Sequence, residues 1–128
     1  MPSSAWTSVL TLDPERDYVA MATRFEVRSR RHLVAIIGST QELWQALPTT
    51  VGLAGYQFAV SPLQGTLSTL TAWRDRSTLE MFVRGPLHAA LVTGTRDLMK
   101  ASSFADWVSP GAHLPPTWKT ANERLDAK

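Results

Sequence analysis

The stretch Thr66-Leu67-Ser68-Thr69-Leu70-Thr71-Ala72-Trp73-Arg74-Asp75-Arg76-Ser77-Thr78-Leu79-Glu80-Met81-Phe82-Val83-Arg84-Gly85-Pro86-Leu87-His88 decides the fold, because its period changes in the middle. Up to Arg74 it alternates as a strand does. Leu67, Thr69, Thr71 and Trp73 point one way; Ser68, Leu70, Ala72 and Arg74 point the other. Neither set is charged before Arg74, so the sheet needs cover on both faces. Helices would supply one cover, and a partner sheet is expected to supply the other. Beyond Arg74, Ser77-Thr78-Leu79-Glu80 has the form of a capping box, in which serine and glutamate satisfy each other's backbone N–H groups. The helix it opens carries Leu79, Phe82 and Val83. It ends at Gly85-Pro86, where Pro86 can begin a second helix.

That second helix is expected to run to about Lys100, with Leu87, Leu91 and Leu98 on one line. His88, Val92, Thr95 and Met99 share a flank roughly 100° away and should face a cleft wall rather than open solvent. Upstream, Pro62, Gln64 and Gly65 mark a hairpin turn from a strand over Tyr56–Val60, which Gly52 and Gly55 introduce. Before that, Leu33, Ile36, Ile37, Thr40, Leu43, Trp44 and Leu47 recur at helical spacing until Pro48, with a split expected near Gly38-Ser39-Thr40. Tyr18–Val27 alternates as a first strand, and Ser103–Val108 reads as the last. A short polar helix from Thr117 to Leu125 follows Pro115-Pro116. Residues 1–16 form an irregular arm, and 17–128 a single domain. The order β-α-β-β-α-β is that of an α+β, ferredoxin-like antiparallel sheet.

Composition narrows the function. The 128-residue chain has no cysteine, which removes disulfides, thiolate nucleophiles and cysteine-zinc sites and fits a reducing cytoplasmic setting. A net charge of +2 gives no cationic field of the kind nucleic acid requires. The opening residues lack a basic segment leading into an apolar one, and Leu33–Ile37 is far too short for a membrane span, so neither secretion nor a membrane is expected. No G-x-S-x-G elbow and no glycine-rich phosphate loop occurs.

Thr71-Ala72-Trp73-Arg74-Asp75, then Leu79, Phe82-Val83 and Gly85-Pro86-Leu87-His88, resembles a motif of the dimeric α/β-barrel proteins. In these a tryptophan closes a strand and a histidine sits on a following helix. Gly52-Leu53-Ala54-Gly55-Tyr56 resembles their glycine turn into the second strand. Phe104-Ala105-Asp106-Trp107-Val108, with Gly111, His113, Leu114-Pro115 and Glu123-Arg124-Leu125, resembles the closing segment of a branch described as antibiotic-biosynthesis-monooxygenase-like or spheroidene-monooxygenase-like. The resemblance spans residues 18 to 125. It implies a homodimer and monooxygenase-like chemistry on a hydrophobic, aromatic or polyketide-like small molecule, without cofactor. The superfamily also contains haem-binding members and members with no known activity.

His88 is the foremost candidate for chemistry, as a general base or, in the alternative, as an axial ligand of haem. Trp73 and Phe82 are expected as walls of its pocket, with Trp44, Trp107 and Tyr56 approaching the same space around the ligand. A non-catalytic, small-molecule-binding dimer accounts for the same residues. His32 and His113 have no second ligand at metal-binding spacing, so no metal site is expected. His32 is expected to be exposed, and His113 to fix its turn. The arginines at 24, 28, 30 and 31 read as a solvated turn. Asp106, between Ala105 and Trp107, is placed to orient a histidine or arginine or simply to face water.

Overall fold

The structure is a computed structural model and describes residues 5–127. The first four residues of the arm and residue 128 lie outside the described residues. The strands are β1 (Thr7–Ser8), β2 (Asp17–Val27), β3 (Leu53–Ser61), β4 (Thr66–Trp73) and β5 (Met99–Pro110). The helices are α1 (Arg30–Ser39), α2 (Gln41–Ala46), α3 (Arg76–Arg84), α4 (Pro86–Thr95) and α5 (Trp118–Asp126).

One five-stranded sheet holds them in the order β1-β3-β4-β2-β5. Every neighbouring pair is antiparallel. The strands β2 and β3, joined through α1 and α2, therefore run parallel with β4 between them. Likewise β4 and β5, joined through α3 and α4, run parallel with β2 between them. This is the α+β, ferredoxin-like arrangement the alternation implies.

The first helical stretch does divide at Thr40. Its N–H reaches the Ile36 and Ile37 carbonyls, its Oγ1 donates to the Ile37 carbonyl at 2.7 Å, and α2 starts at the next residue. The β3–β4 hairpin turns at Gly65, whose φ of +65° a side chain would resist.

Three expectations are corrected. Helix α3 is capped by Asp75 rather than by the Ser77–Glu80 box: the Asp75 carboxylate accepts the Thr78 N–H at 2.9 Å, and Ser77 and Glu80 are exposed. Asp75 is extended and Arg76 already helical, so Ser77 lies inside the helix, where it cannot cap. Helix α4 stops at Thr95, and after a turn of 3-10 helix β5 begins at Met99, earlier than expected. The arm is also partly ordered. Thr7 and Ser8 pair with Tyr56 and Gly55, and the Trp6 indole lies so close over Gly55 that a Cβ there would stand 2.4 Å from it.

The second sheet face is covered largely from within the chain. Ala20, Ala22, Leu70, Ala105 and Trp107 lie beneath Ala121 and Leu125 of α5, with Trp6 and Trp118 packed around them. The alanines bring the helix close to the sheet, and Arg24 ties it down through Asp126 at 3.0 Å and Asn122 at 2.8 Å. A partner sheet is therefore not required to bury this face. On the first face, Val19, Leu53, Trp73 and Leu79 form one core cluster, and Val27, Leu33, Ile36, Val60 and Leu67 another. No helix of the described residues is long and apolar enough to cross a membrane.

Candidate functional site

From residue 104 to 110 β5 alternates strictly. Ala105, Trp107 and Ser109 are buried towards α5, while Phe104, Asp106 and Val108 are exposed on the other face. The helices above that other face thus leave β5 uncovered, and a cleft of about 320 Å³ opens between α4 and the sheet. Phe25, Leu67 and Phe104 form its sheet side; His88, Leu91 and Thr95 form its helix side; Thr40 and Met99 complete the wall. His88, Val92 and Thr95 of α4 face this cleft, as their helical spacing implies, whereas Met99 reaches it from the start of β5 and not from the helix.

His88 stands in the first turn of α4, which starts at Pro86 because Gly85 ends α3 in an extended conformation. Its imidazole donates a hydrogen bond to the Val83 carbonyl. Burial pushes its pKa below the ordinary value of 6.5, and the Val83 bond opposes this less strongly. At neutral pH the ring is therefore neutral. One nitrogen is committed to Val83, and the other is left as an acceptor.

Phe82 joins His88 to Trp73: its ring centroid lies 5.6 Å from that of His88 and 5.1 Å from that of Trp73. Trp73 itself is 1% exposed, and its indole N–H donates to Thr71 Oγ1 at 2.9 Å. It supports Phe82 from within the core and does not line the cleft. Trp44 packs on Phe58 and Tyr56, at 4.7 and 5.8 Å, beside a smaller hollow of about 140 Å³ that shares Thr40 and Leu67 with the cleft. Trp107 lies on the opposite sheet face, beneath α5, with Arg124 5.3 Å from its ring. The expectation that Trp107 approaches the same space is therefore overturned, because strand alternation sends residue 107 away from residue 104.

Phe25, Phe104, Leu91 and Thr40 escaped the sequence reading. Phe25 and Phe104 meet edge to face at 6.0 Å, and Phe104 pairs with Thr23 across β2 and β5. Only that register brings them together. The remaining candidates are placed elsewhere. Asp106 pairs with Arg76 at 3.1 Å, Arg28 donates to the Asp97 carbonyl at 3.1 Å, and His113 is exposed in its turn. His32 is half-buried rather than exposed. The described residues contain no cluster of three or more histidine, cysteine or acidic side chains able to hold a metal ion.

No protein-family model matches the sequence, and no curated protein matches it. Solved structures do. A protein of unknown function from Nitrosomonas europaea superposes with a TM-score of 0.60 at 19% identity, covering 80% of this chain and 99% of its own. A protein assigned as an antibiotic biosynthesis monooxygenase from Bacteroides thetaiotaomicron gives 0.63 at 13% identity, with 74% and 90% covered. SnoaB, a cofactor-independent oxygenase from Streptomyces nogalater, gives 0.56 at 15%, with 71% and 91% covered. This chain has the antibiotic biosynthesis monooxygenase fold. At such identities the backbone path is what is shared, and residue roles do not transfer. These relatives are matched over nine-tenths or more of their length while a fifth or more of this chain stays outside. In this chain β1, an edge strand of the sheet, and α5 are additional to the βαββαβ unit.

Proposed function

We propose that this protein is a cofactor-independent, monooxygenase-like enzyme acting on a flat, hydrophobic, aromatic or polyketide-like molecule bound in the α4 cleft. The observation that carries this reading is the neutral His88 imidazole, held by the Val83 carbonyl at the wall of a cleft whose floor is apolar. A base in such a setting takes a proton from an acidic C–H flanked by a carbonyl and aromatic rings. The carbanion formed is electron-rich enough to reduce O₂. Oxygen bonds to that carbon as a peroxide, which takes the proton back from His88. His88 then removes the second C–H proton, the C=O forms as the O–O bond breaks, and the departing hydroxide takes up that proton as water. A CH₂ and O₂ thus become C=O and water. Phe25, Phe104 and Leu91 orient the rings and exclude water, while Phe82 and Trp73 hold His88 in place.

Oxygen uptake with a tricyclic phenolic anthrone tests this: quinone formation is expected with the native protein and its loss with His88→Ala. Unchanged turnover in that variant overturns the role of His88. Tight binding without oxygen uptake would reduce the site to a non-catalytic binding pocket. The haem alternative fits less well. The cleft volume is at the bottom of the range for a single drug-sized ligand, and a porphyrin with its propionates is larger than that.

A homodimer is part of the same proposal. It is supported by β5, a 12-residue edge strand that among the described residues pairs with β2 alone and carries Phe104 and Val108, which are 50% and 60% exposed. Light scattering at micromolar concentration checks it, and a monomer would refute it.

A further inference from the structure

We infer that the ligand of the α4 cleft is an elongated amphipathic acid, with a flat apolar body and one carboxylate-like group at the end away from His88. This rests on the cleft being a ligand site, as proposed above, and adds the chemical class.

The cleft is chemically lopsided. Its floor is carbon: Ile36 and Leu67 are buried at 1% and 3% exposure, with Phe25 and Leu91 beside them. Its rim carries Arg96 and Lys100, both exposed, and no aspartate or glutamate lines it. The ion pairs among the described residues join Arg24 to Asp126, Arg74 to Asp75 and Arg76 to Asp106, so none neutralises the rim. A cation just past the last residue of α4 suits the helix dipole, which accounts for Arg96 alone. It does not account for Lys100, which lies beyond the 3-10 turn, on β5, at the same mouth. Two cations without a carboxylate make a receptor for an anion, with the Arg96 fork able to take both oxygens.

The spacing adds a length. His88 and Arg96 are separated by eight residues of nearly continuous helix, about 12 Å of rise. That is the reach of two or three fused rings. A ligand with its reactive carbon at His88 would therefore present its acid group at Arg96 and Lys100, leaving the apolar body against Phe25 and Phe104.

The test is calorimetric titration with naphthalene-2-carboxylate and its neutral amide, which have nearly the same shape. In the native protein at low salt the acid should bind roughly fivefold or more tightly than the amide, an advantage that fades as salt is raised. The double variant R96Q/K100Q should bind both alike, at the native affinity for the amide, which also shows that it is folded. R30Q/R31Q removes the same net charge outside the cleft and should keep the preference. Equal binding of acid and amide to the native protein overturns the inference while leaving the cleft as a ligand site. So does a preference that survives R96Q/K100Q, or one that R30Q/R31Q abolishes. If neither probe binds, the cleft reading falls, and this inference with it.

Discussion

Phe82 meets His88 edge to face, with ring centroids 5.6 Å apart and planes at 66°. The two residues belong to different helices, and the Gly85-Pro86 corner folds one against the other. Glycine and proline end α3 and start α4 within two residues, so a side chain from the last turn of one reaches the first turn of the next. Burial at this corner is what keeps His88 neutral.

That neutrality predicts a pH dependence of stability. The folded-state pKa of His88 is lowered from 6.5 by burial. Above that value neither the folded nor the unfolded chain carries the proton, and the full stability is present. As pH falls below it, the unfolded chain takes up a proton that the folded one refuses, so stability declines until the lowered folded pKa is passed. Urea unfolding at about pH 7.5 and about pH 5.5 should show this decline in the native protein and a shallower one in His88→Gln. Equal slopes would remove the burial of His88 as its cause.

Asp75 caps α3, and its carboxyl is held below the usual value of 3.8, first by the hydrogen bond from the Thr78 N–H. Asp75→Ala should lower the thermal midpoint, and Asp75→Asn, which keeps an acceptor, should lower it less. Ser77→Ala and Glu80→Ala should leave it in place. The Asp75 contribution is present above pH 3.8 and is lost as pH falls through its lowered folded value. A larger effect from Ser77 or Glu80 than from Asp75 would restore the capping box.

Trp73 is a core residue. Trp73→Ala should cost about 3–5 kcal/mol in chemical denaturation, because a large buried ring leaves a cavity. Trp73→Phe should cost less but still release Thr71 Oγ1 from its bond. Loss of His88-dependent turnover in Trp73→Phe, with the fold intact, would show that support of Phe82 extends to the site.

Gly55 admits the Trp6 indole, which a Cβ would meet at 2.4 Å. Gly55→Ala should destabilise by about 1–3 kcal/mol in the native background and by less in Trp6→Ala. The double-mutant cycle measures the coupling directly; simple additivity would show that the arm does not dock there.

The alternation of Leu67, Thr69, Thr71 and Trp73, the switch to helical spacing after Arg74 and the Gly85-Pro86 break were enough to derive the strand-helix order and so the ferredoxin-like sheet. These are local properties: side-chain period and backbone permission act over a few residues. The same local rules placed His88 on the flank that faces the cleft. They also misplaced the cap of α3, since Ser77 and Asp75 both offer an oxygen and only the true helix start chooses between them. What surrounds His88 was decided by tertiary structure. Phe25 and Phe104 become neighbours through the register of β2 against β5, across nearly eighty residues, and the same register turns Trp107 to the opposite face. The cover over that face was equally beyond local reading. A short polar helix gives no sign in its own period that Ala121 and Leu125 will lie on Ala20, Ala22 and Ala105, because burial there depends on small side chains distant in sequence meeting in space. Nor does a basic pair such as Arg96 and Lys100 declare itself a rim. It becomes one only when the chain folds both cations to the mouth of the cleft, whose lining contains no acid.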